Sequence, residues 1–413
     1  MVKRLFLVAA LIMTCACGRT AVQERDRVLE NLRSGDYAAA RRIAESDRYF
    51  NQESSALVRA LDIATLLYLD GMYEQSSLQF SLAKDMADQL YTKSISKTAA
   101  ASVAGAALAD YTGERHELTA IRFYQSLARY KMAMQADDAE QRKRNAEAAF
   151  AAVADWNAFL HQFGQSDMLA RAWGAWLSTG GPAANRQRAA GFRREMDRIA
   201  KETGQDISDF THKGNVAVIV KQGIIPPKTA AWGIVPGLGI RYEYAVVRPP
   251  RAPPKLKIAV VDSGGDIVAE KPLPLMHPLA QMAHKAYEDG KTAATAARIA
   301  RLTTKGAAAT TAYVLLDRAA ASRTEPPDSK TALGQFAALL LFAAAVGLIE
   351  ASEYADLRQW NTLPANIYLQ TVKLDPGQYV ARIYSGDKLV GTQKLLVLQD
   401  MPTMADIFLP GVY

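Results

Sequence analysis

Gly214-Asn215-Val216-Ala217-Val218-Ile219-Val220 is the stretch at which the character of the chain changes. No proline precedes Pro182, whereas ten of the 17 prolines fall between Pro226 and Pro278. Proline breaks helix interiors, so its absence upstream predicts helices and its crowding downstream predicts strands and turns. The quoted run is short, apolar and β-branched, the pattern of a buried strand. Further strands are expected at Arg241–Val247 and Lys255–Val261, separated by turns such as Pro236-Gly237 and Asp262-Ser263-Gly264-Gly265. Farther on, Ile367–Leu374, Gln378–Tyr384 and Lys388–Leu398 are divided by Asp375-Pro376-Gly377 and Ser385-Gly386-Asp387, which predicts two hairpins in series.

Upstream, Gly35-Asp36-Tyr37 recurs as Gly71-Met72-Tyr73, 36 residues later. A tetratricopeptide unit repeats at about 34 residues. In the second copy Gly71, Tyr73, Ser76, Phe80 and Ala83 stand where such units place a turn glycine, an aromatic, a small residue, a second aromatic and another small residue. Small residues let paired helices approach closely, and aromatics fill the groove to the next pair. The first copy is less complete: Ala40 fits, but Ala44 and Asp47 replace the second aromatic and the second small residue. Further helical pairs are expected over Ile121–Trp156 and Met168–Ile199, the latter broken by Gly180-Gly181-Pro182.

Between the two groups of strands helix returns, from about Leu279 to about Ala320, and a linker Glu325-Pro326-Pro327-Asp328 follows. Ala332–Ile349 then has Gln335 as its single polar interruption. Eighteen helical residues reach roughly 27 Å, just enough for a thin bilayer. Six of them are alanines, the flanks offer only Lys330 and Glu350, and no aromatic belt marks the N-terminal end. The expectation is therefore a helix buried in the protein, covering a sheet built from strands on both sides of the block. The fold class expected is α+β: tetratricopeptide-like helical hairpins, then a β-sheet domain with an inserted helical block. The boundaries fall at a signal peptide over 1–16, a helical domain over 17–205 and a β-rich domain over 206–413, with the insertion at about 279–355.

The chain has 413 residues, enough for two or three domains and a sizeable core. With 49% hydrophobic and 22% charged residues it is neither disordered nor a multispanning membrane protein. A net charge of +7 is too dilute to imply nucleic acid, and the densest basic run, Arg142-Lys143-Arg144, has acidic neighbours Asp137, Asp138 and Glu140. It reads as a solvated helix face.

Lys3 and Arg4 open the chain, and the apolar run Leu5–Met13 ends in small residues and its two cysteines, Cys15 and Cys17. This is a secretory signal pattern, because nine apolar residues cannot cross a hydrocarbon core about 30 Å thick. The end of the leader resembles the lipobox of bacterial lipoproteins, in which a small residue precedes the acylated cysteine. Cys17 fits better than Cys15: Ala16 supplies the small residue, although Thr14 stands where leucine is usual, whereas Cys15 follows Thr14 directly. The resemblance implies lipidation at Cys17, a membrane contact through that lipid, and no disulfide within the mature chain. Gly18 follows, where inner-membrane lipoproteins typically carry aspartate, so the implied place is the periplasmic face of a bacterial outer membrane.

Catalytic and metal signatures fail in turn. Gly233-Ile234-Val235-Pro236-Gly237-Leu238-Gly239 lacks the lysine and hydroxyl end of a phosphate loop. His116, His161, His212, His277 and His284 show no ligand spacing. There is no Gly-x-Ser-x-Gly elbow, and the Ser94-x-x-Lys97 match has no companion motif. No catalytic residue, metal site or cofactor is expected. Asp356, Arg358 and Trp360 stand out in the charged segment that follows the apolar helix. Arg358 and Trp360 suit a partner-binding hot spot, while the competing reading has Trp360 packing as an anchor and Arg358 pairing with Asp356.

Asp356-x-Arg358-x-Trp360-x-Thr362-Leu363-Pro364, the strand from Ile367, and Leu374-Asp375-Pro376-Gly377-Gln378-Tyr379 together resemble a family of uncharacterised bacterial lipoproteins with tetratricopeptide-like N-terminal helices. Tyr111-Thr112-Gly113-Glu114 and Gln222-Gly223-Ile224-Ile225-Pro226-Pro227 are similar to the same family. The resemblance implies a periplasm-facing, membrane-anchored protein without assigned catalysis. The expected function is a non-enzymatic scaffold that binds an envelope protein. The alternative is an envelope enzyme acting on peptidoglycan or glycan.

Overall fold

The computed structural model describes residues 20–101, 109–179, 185–321, 329–351, 354–399 and 401–411. The leader with Cys15 and Cys17, the Gly180-Gly181-Pro182 break and the Glu325–Asp328 linker lie outside the described residues.

Helices α1 (residues 20–34) and α2 (Tyr37–Glu45) meet at Gly35, and α3 (Ala56–Leu69) and α4 (Tyr73–Ala101) meet at Gly71. The two turns are the same device. Both glycines sit at left-handed φ, 82° and 80°, and the next residue's amide reaches back across the cap, from Asp36 to the Asn31 carbonyl and from Met72 to that of Leu67, at 2.9 Å each. Ser76, Phe80 and Ala83 are all fully buried, and the Ser76 hydroxyl donates to the Ala64 carbonyl across the α3–α4 pair at 2.9 Å. Pairing continues with α5 (Arg115–Gln135) on α6 (Ala139–Gln162) and α7 (Met168–Leu177) on α8 (Arg186–Thr203). On α6 Lys143 and Arg144 of the basic run are exposed, facing Glu147 and Glu140 at 4.0 and 3.8 Å, while half-buried Arg142 donates to the Ala136 carbonyl at 3.2 Å.

Strands on either side of the helical block share sheets. In the first, β1 (Val216–Gln222) lies between β10 (Thr403–Leu409), parallel, and β7 (Asn366–Val372), antiparallel, with β6 (Leu275–His277) beyond β7. The second has the order β5 (Ile267–Leu273), β4 (Leu256–Val261), β8 (Gly377–Ser385), β9 (Lys388–Val397), so of the two hairpins expected in series β8–β9 forms, whereas Asp375-Pro376-Gly377 carries the chain from β7 in one sheet to β8 in the other. Strand alternation sends Ala217, Ile219 and Met404 into the helical core, and Val216, Val218, Val220 and Ile407 into a core shared with Ile258 and Val260 of the second sheet. The result is three layers, helices on sheet on sheet. Trp176 Nε1 donates to the Gly214 carbonyl at 3.0 Å, and the Tyr130 hydroxyl to that of Pro402 at 2.7 Å, so the helices are stitched to the sheet.

The helical block does not cover a sheet. α9 (Leu279–Ala321) begins in the core at Leu279, runs 43 residues, about 65 Å at 1.5 Å per residue, and is met by α10 (Ser329–Ala351). A ribbon of β2 (Thr229–Ile234) and β3 (Arg241–Val246) braces the pair, packing Val235, Ile240 and Tyr242 on Leu302, Ile299 and Val346. A Cβ at Gly306 would come within 2.8 Å of Ile240 Cδ1, so glycine is what lets ribbon and helix touch. The expected burial of Ala332–Ile349 is overturned: Leu339, Leu340 and Leu341 are 50%, 55% and 59% exposed. One face of the first sheet is already taken by helices and the other by the second sheet, so neither is left for α10. No helix among the described residues is long and apolar enough to cross a membrane.

Candidate functional site

Arg358 and Trp360 lie in the segment that leads from the helical block to β7, and both are buried. Neither offers a surface to a partner, because each is spent inside the fold. The Arg358 guanidinium forms a bidentate pair with Asp356, 2.8 Å on each branch, and donates to the carbonyls of Ser54 and Ala109 at 2.7 and 2.8 Å. Trp360 packs in tilted contacts against Phe80 and Tyr124, with ring centroids 5.8 and 5.5 Å away, and its Nε1 donates to Thr65 Oγ1 at 2.9 Å. The anchoring reading of the motif is the one the geometry supports.

Two carboxylates on the helices hold that segment. Glu117 of α5 accepts from the Trp360 backbone amide at 2.6 Å, from the Glu114 amide at 2.9 Å and from the Tyr111 hydroxyl at 2.5 Å. The Glu114 bond completes a capping box that starts α5. Asp62 of α3 accepts from the Thr362 amide and hydroxyl, from Asn361 Nδ2 and from the Tyr49 hydroxyl. Thus Tyr111-Thr112-Gly113-Glu114 and Asp356–Pro364, quoted above as separate motifs, form one joint. Burial pushes the Glu117 carboxyl up to about 7, with the neighbouring Glu114 charge adding to it, and burial raises Asp62 as well. Burial drives His116 down to about 4, against the opposing pull of Glu114.

Two more ionisable pairs are sealed between helices and sheet. Lys221 Nζ lies 2.8 Å from Asp406 Oδ2 with both side chains almost fully buried, and it sits 4.3 Å over the Tyr68 ring. Burial alone would raise Asp406, but the Lys221 and Lys131 charges hold it below the ordinary carboxylate range. His277 Nδ1 meets Asp167 at 3.1 Å, and the same aspartate caps α7 by accepting from the Ala170 amide. Nothing in the sequence marks Asp62 or Lys221 as a joint residue; Glu117 alone carries a signal, as the third residue after a helix cap.

These groups line neither of two surface cavities. One, of about 490 Å³, is walled by Arg25, Arg33, Arg248 and Arg251 with Pro227 and Pro249, and its single carboxylate, Asp26, pairs with Arg25 at 2.9 Å. The other, of about 500 Å³, holds Glu24 paired with Arg27 at 2.8 Å. Neither brings two carboxylates together for acid–base work. Among the described residues no group of three or more His, Cys, Asp or Glu is placed to hold a metal ion.

What the described surface does present is the outer part of the α9–α10 hairpin. Val314, Leu315 and Leu316 of α9 and Phe336, Leu339, Leu340 and Leu341 of α10 are large, apolar and exposed. Isolated exposed leucines are ordinary, but a contiguous apolar patch marks an interaction site. The hairpin, not the Trp360 segment, is therefore the candidate functional element. No family model, curated protein or solved structure matches the chain.

Proposed function

We propose that this chain is a lipid-anchored, non-enzymatic scaffold of the bacterial outer membrane, facing the periplasm, which binds protein through its projecting hairpin. The observation that carries the reading is the bare apolar end of α9–α10, held away from the body by a joint of buried carboxylates and by the β2–β3 brace. A catalytic centre gathers convergent polar groups in a cleft, whereas this protein gathers them inside the joint and leaves its cavities basic and its hairpin greasy. Anchoring rests on Ala16-Cys17 at the end of the leader, and Cys17 lies only three residues ahead of Thr20 at the start of α1.

Two measurements test the two halves of the proposal. Mass spectrometry of the N-terminal peptide is expected to find lipid on Cys17 and no Cys15; a mature chain that keeps Cys15 sinks the anchor. A photoreactive amino acid at Leu315 or Leu340 in intact cells is expected to trap protein, and trapping none sinks the scaffold.

A further inference from the structure

We propose that the apolar belt of the α9–α10 hairpin is filled by the same belt on further copies of this chain, in a closed bundle of three or more hairpins. The proposal names the partner of the contact element and rests on the scaffold reading above.

The two helices run antiparallel in a fixed register. Leu302 packs with Val346 and Ile349 at the brace, and Tyr313 lies 5.3 Å from Phe342 farther out. This places Val314–Leu316 level with Phe336–Leu341, so the exposed side chains form a belt. Seven large side chains leave on the order of 700 Å² bare, above the roughly 300–600 Å² of the largest patch on a typical monomer and near the roughly 800 Å² each partner gives to a stable interface.

The belt wraps too far round for one neighbour. Ala338 is the residue of α10 buried at this level; at about 100° per residue, Leu339, Leu340 and Leu341 spread over roughly 200° of the opposite side. Ala337, Ala343, Ala344 and Gly347 are exposed in the same arc, which carries no polar residue. A facing helix covers a stripe of about 100°, so several neighbours are needed to dry the arc.

A bilayer would wet every side at once, but the ends of the belt argue against it. On α9 the uncharged stretch from Gly306 to Leu316 is about 16 Å long, against a hydrocarbon core of about 30 Å. Asp317 and exposed Arg318 follow at once on the outer side, and Lys305 precedes on the inner side. An inserting hairpin would carry Asp317 and Arg318 into hydrocarbon first, whereas a bundle standing in water keeps both charged ends wet. Within the belt, Thr310 and Thr311 donate to the carbonyls of Gly306 and Ala307 at 2.9 Å, so their hydroxyls enter a dry interface already satisfied. An apolar belt on every copy needs no second protein to dry it, and copies that each give and take the same contact end in a ring or bundle where the rotation between neighbours closes, in an open filament where it does not.

The test uses the full chain carrying L315C or L340C, treated with a short bismaleimide linker in intact cells and after purification, with the unsubstituted chain and A293C, exposed near the base of α9, as controls. The expected result is a ladder of linked copies ending at one fixed number of three or more at both belt positions and absent from both controls. L340E should give monomers by analytical ultracentrifugation with an unchanged circular dichroism spectrum, and if that variant fails to fold, the cysteine ladder still decides. Monomer alone, an open-ended ladder, or equal linkage at A293C overturns the proposal. A different protein trapped at residue 315 or 340 overturns self-association while leaving the scaffold reading in place; no protein trapped at either position removes both.

Discussion

Asp62 and Thr362, 300 residues apart, are joined by two hydrogen bonds, from the Thr362 amide at 2.8 Å and from its hydroxyl at 2.9 Å, both onto Asp62 Oδ1. The other carboxylate oxygen takes Asn361 Nδ2 at 2.9 Å and the Tyr49 hydroxyl, so a single buried acid ties α3, the turn after α2 and the segment leading to β7. Asp62→Ala would leave those donors buried and unmet. The expected cost is about 3 kcal/mol or more in denaturant unfolding, with Thr362→Val, which keeps the amide bond, nearer 1 kcal/mol. Equal small losses for both would show that Asp62 is not the hub of the joint.

Glu117 and His116 are sequence neighbours with opposite pH effects. The Glu117 carboxyl is raised from 4.5 to about 7, so its contribution is full below about 4.5 and is lost as pH rises through about 7. His116 is lowered from 6.5 to about 4, so its contribution is full above about 6.5 and is lost as pH falls through about 4. Each shift corresponds to about 3 kcal/mol, and where the two ranges overlap, from about 4.5 to 6.5, the opposite slopes nearly cancel. Glu117→Gln should therefore make stability climb with pH from about 4 to 6.5, and His116→Asn should make it decline from about 4.5 to 7. Unfolding midpoints measured across that range decide, and parallel curves for the two variants would contradict the assignment.

Lys221 and Asp406 are each the other's condition for burial. Lys221→Met strands the aspartate in the core and should cost about 3–5 kcal/mol, as should Asp406→Leu for the lysine, whereas the double substitution should cost distinctly less than the sum. A double-mutant cycle measures this directly, and strict additivity would mean the contact carries no coupling.

Two glycines with open space around them should respond with opposite sign. Gly71 holds φ at 80° in the α3–α4 turn, so Gly71→Ala should lose about 1–2 kcal/mol. Gly347 lies within α10 at ordinary helical φ with nothing within 4 Å of an added Cβ, so Gly347→Ala should stabilise that helix by up to about 1 kcal/mol. Hydrogen exchange of the α10 amides reads the second effect, and faster exchange there would refute it.

Much of the architecture was readable from local pattern. Gly35 and Gly71 announced equivalent turns because a left-handed cap needs glycine, and β3, β4, β7, β8 and β9 announced themselves by apolar, β-branched runs between turns. β2 was not legible: Thr229-Ala230-Ala231-Trp232-Gly233-Ile234 has small residues where strands usually carry branched ones, since the ribbon is half exposed. β10 was hidden by Asp406, a charge inside an apolar run that Lys221, 185 residues away, makes tolerable together with Lys131 and the Tyr68 hydroxyl. The partner-binding reading of Arg358 and Trp360, both of them buried, has a related origin. Arg358 and Trp360 look like hot-spot residues because the same side chains serve any buried polar joint, and the apolar composition of α10 says that it wants cover without saying whose.

The parallel pairing of β1 with β10 sets the order in which the protein can become itself. Val216–Gln222 is the central strand of the first sheet, yet one of its two neighbours is Thr403–Leu409, and Met404 from that same neighbour completes the helical core. A chain emerging from its N-terminus can wind α1 to α8 early, but it must hold β1 with both edges open until β7 has appeared and with one still open until β10 follows. Contacts so distant in sequence close slowly. Maturation is thus gated by the last strand, and until it arrives the open edge of β1 is the place where a chaperone would have most to protect.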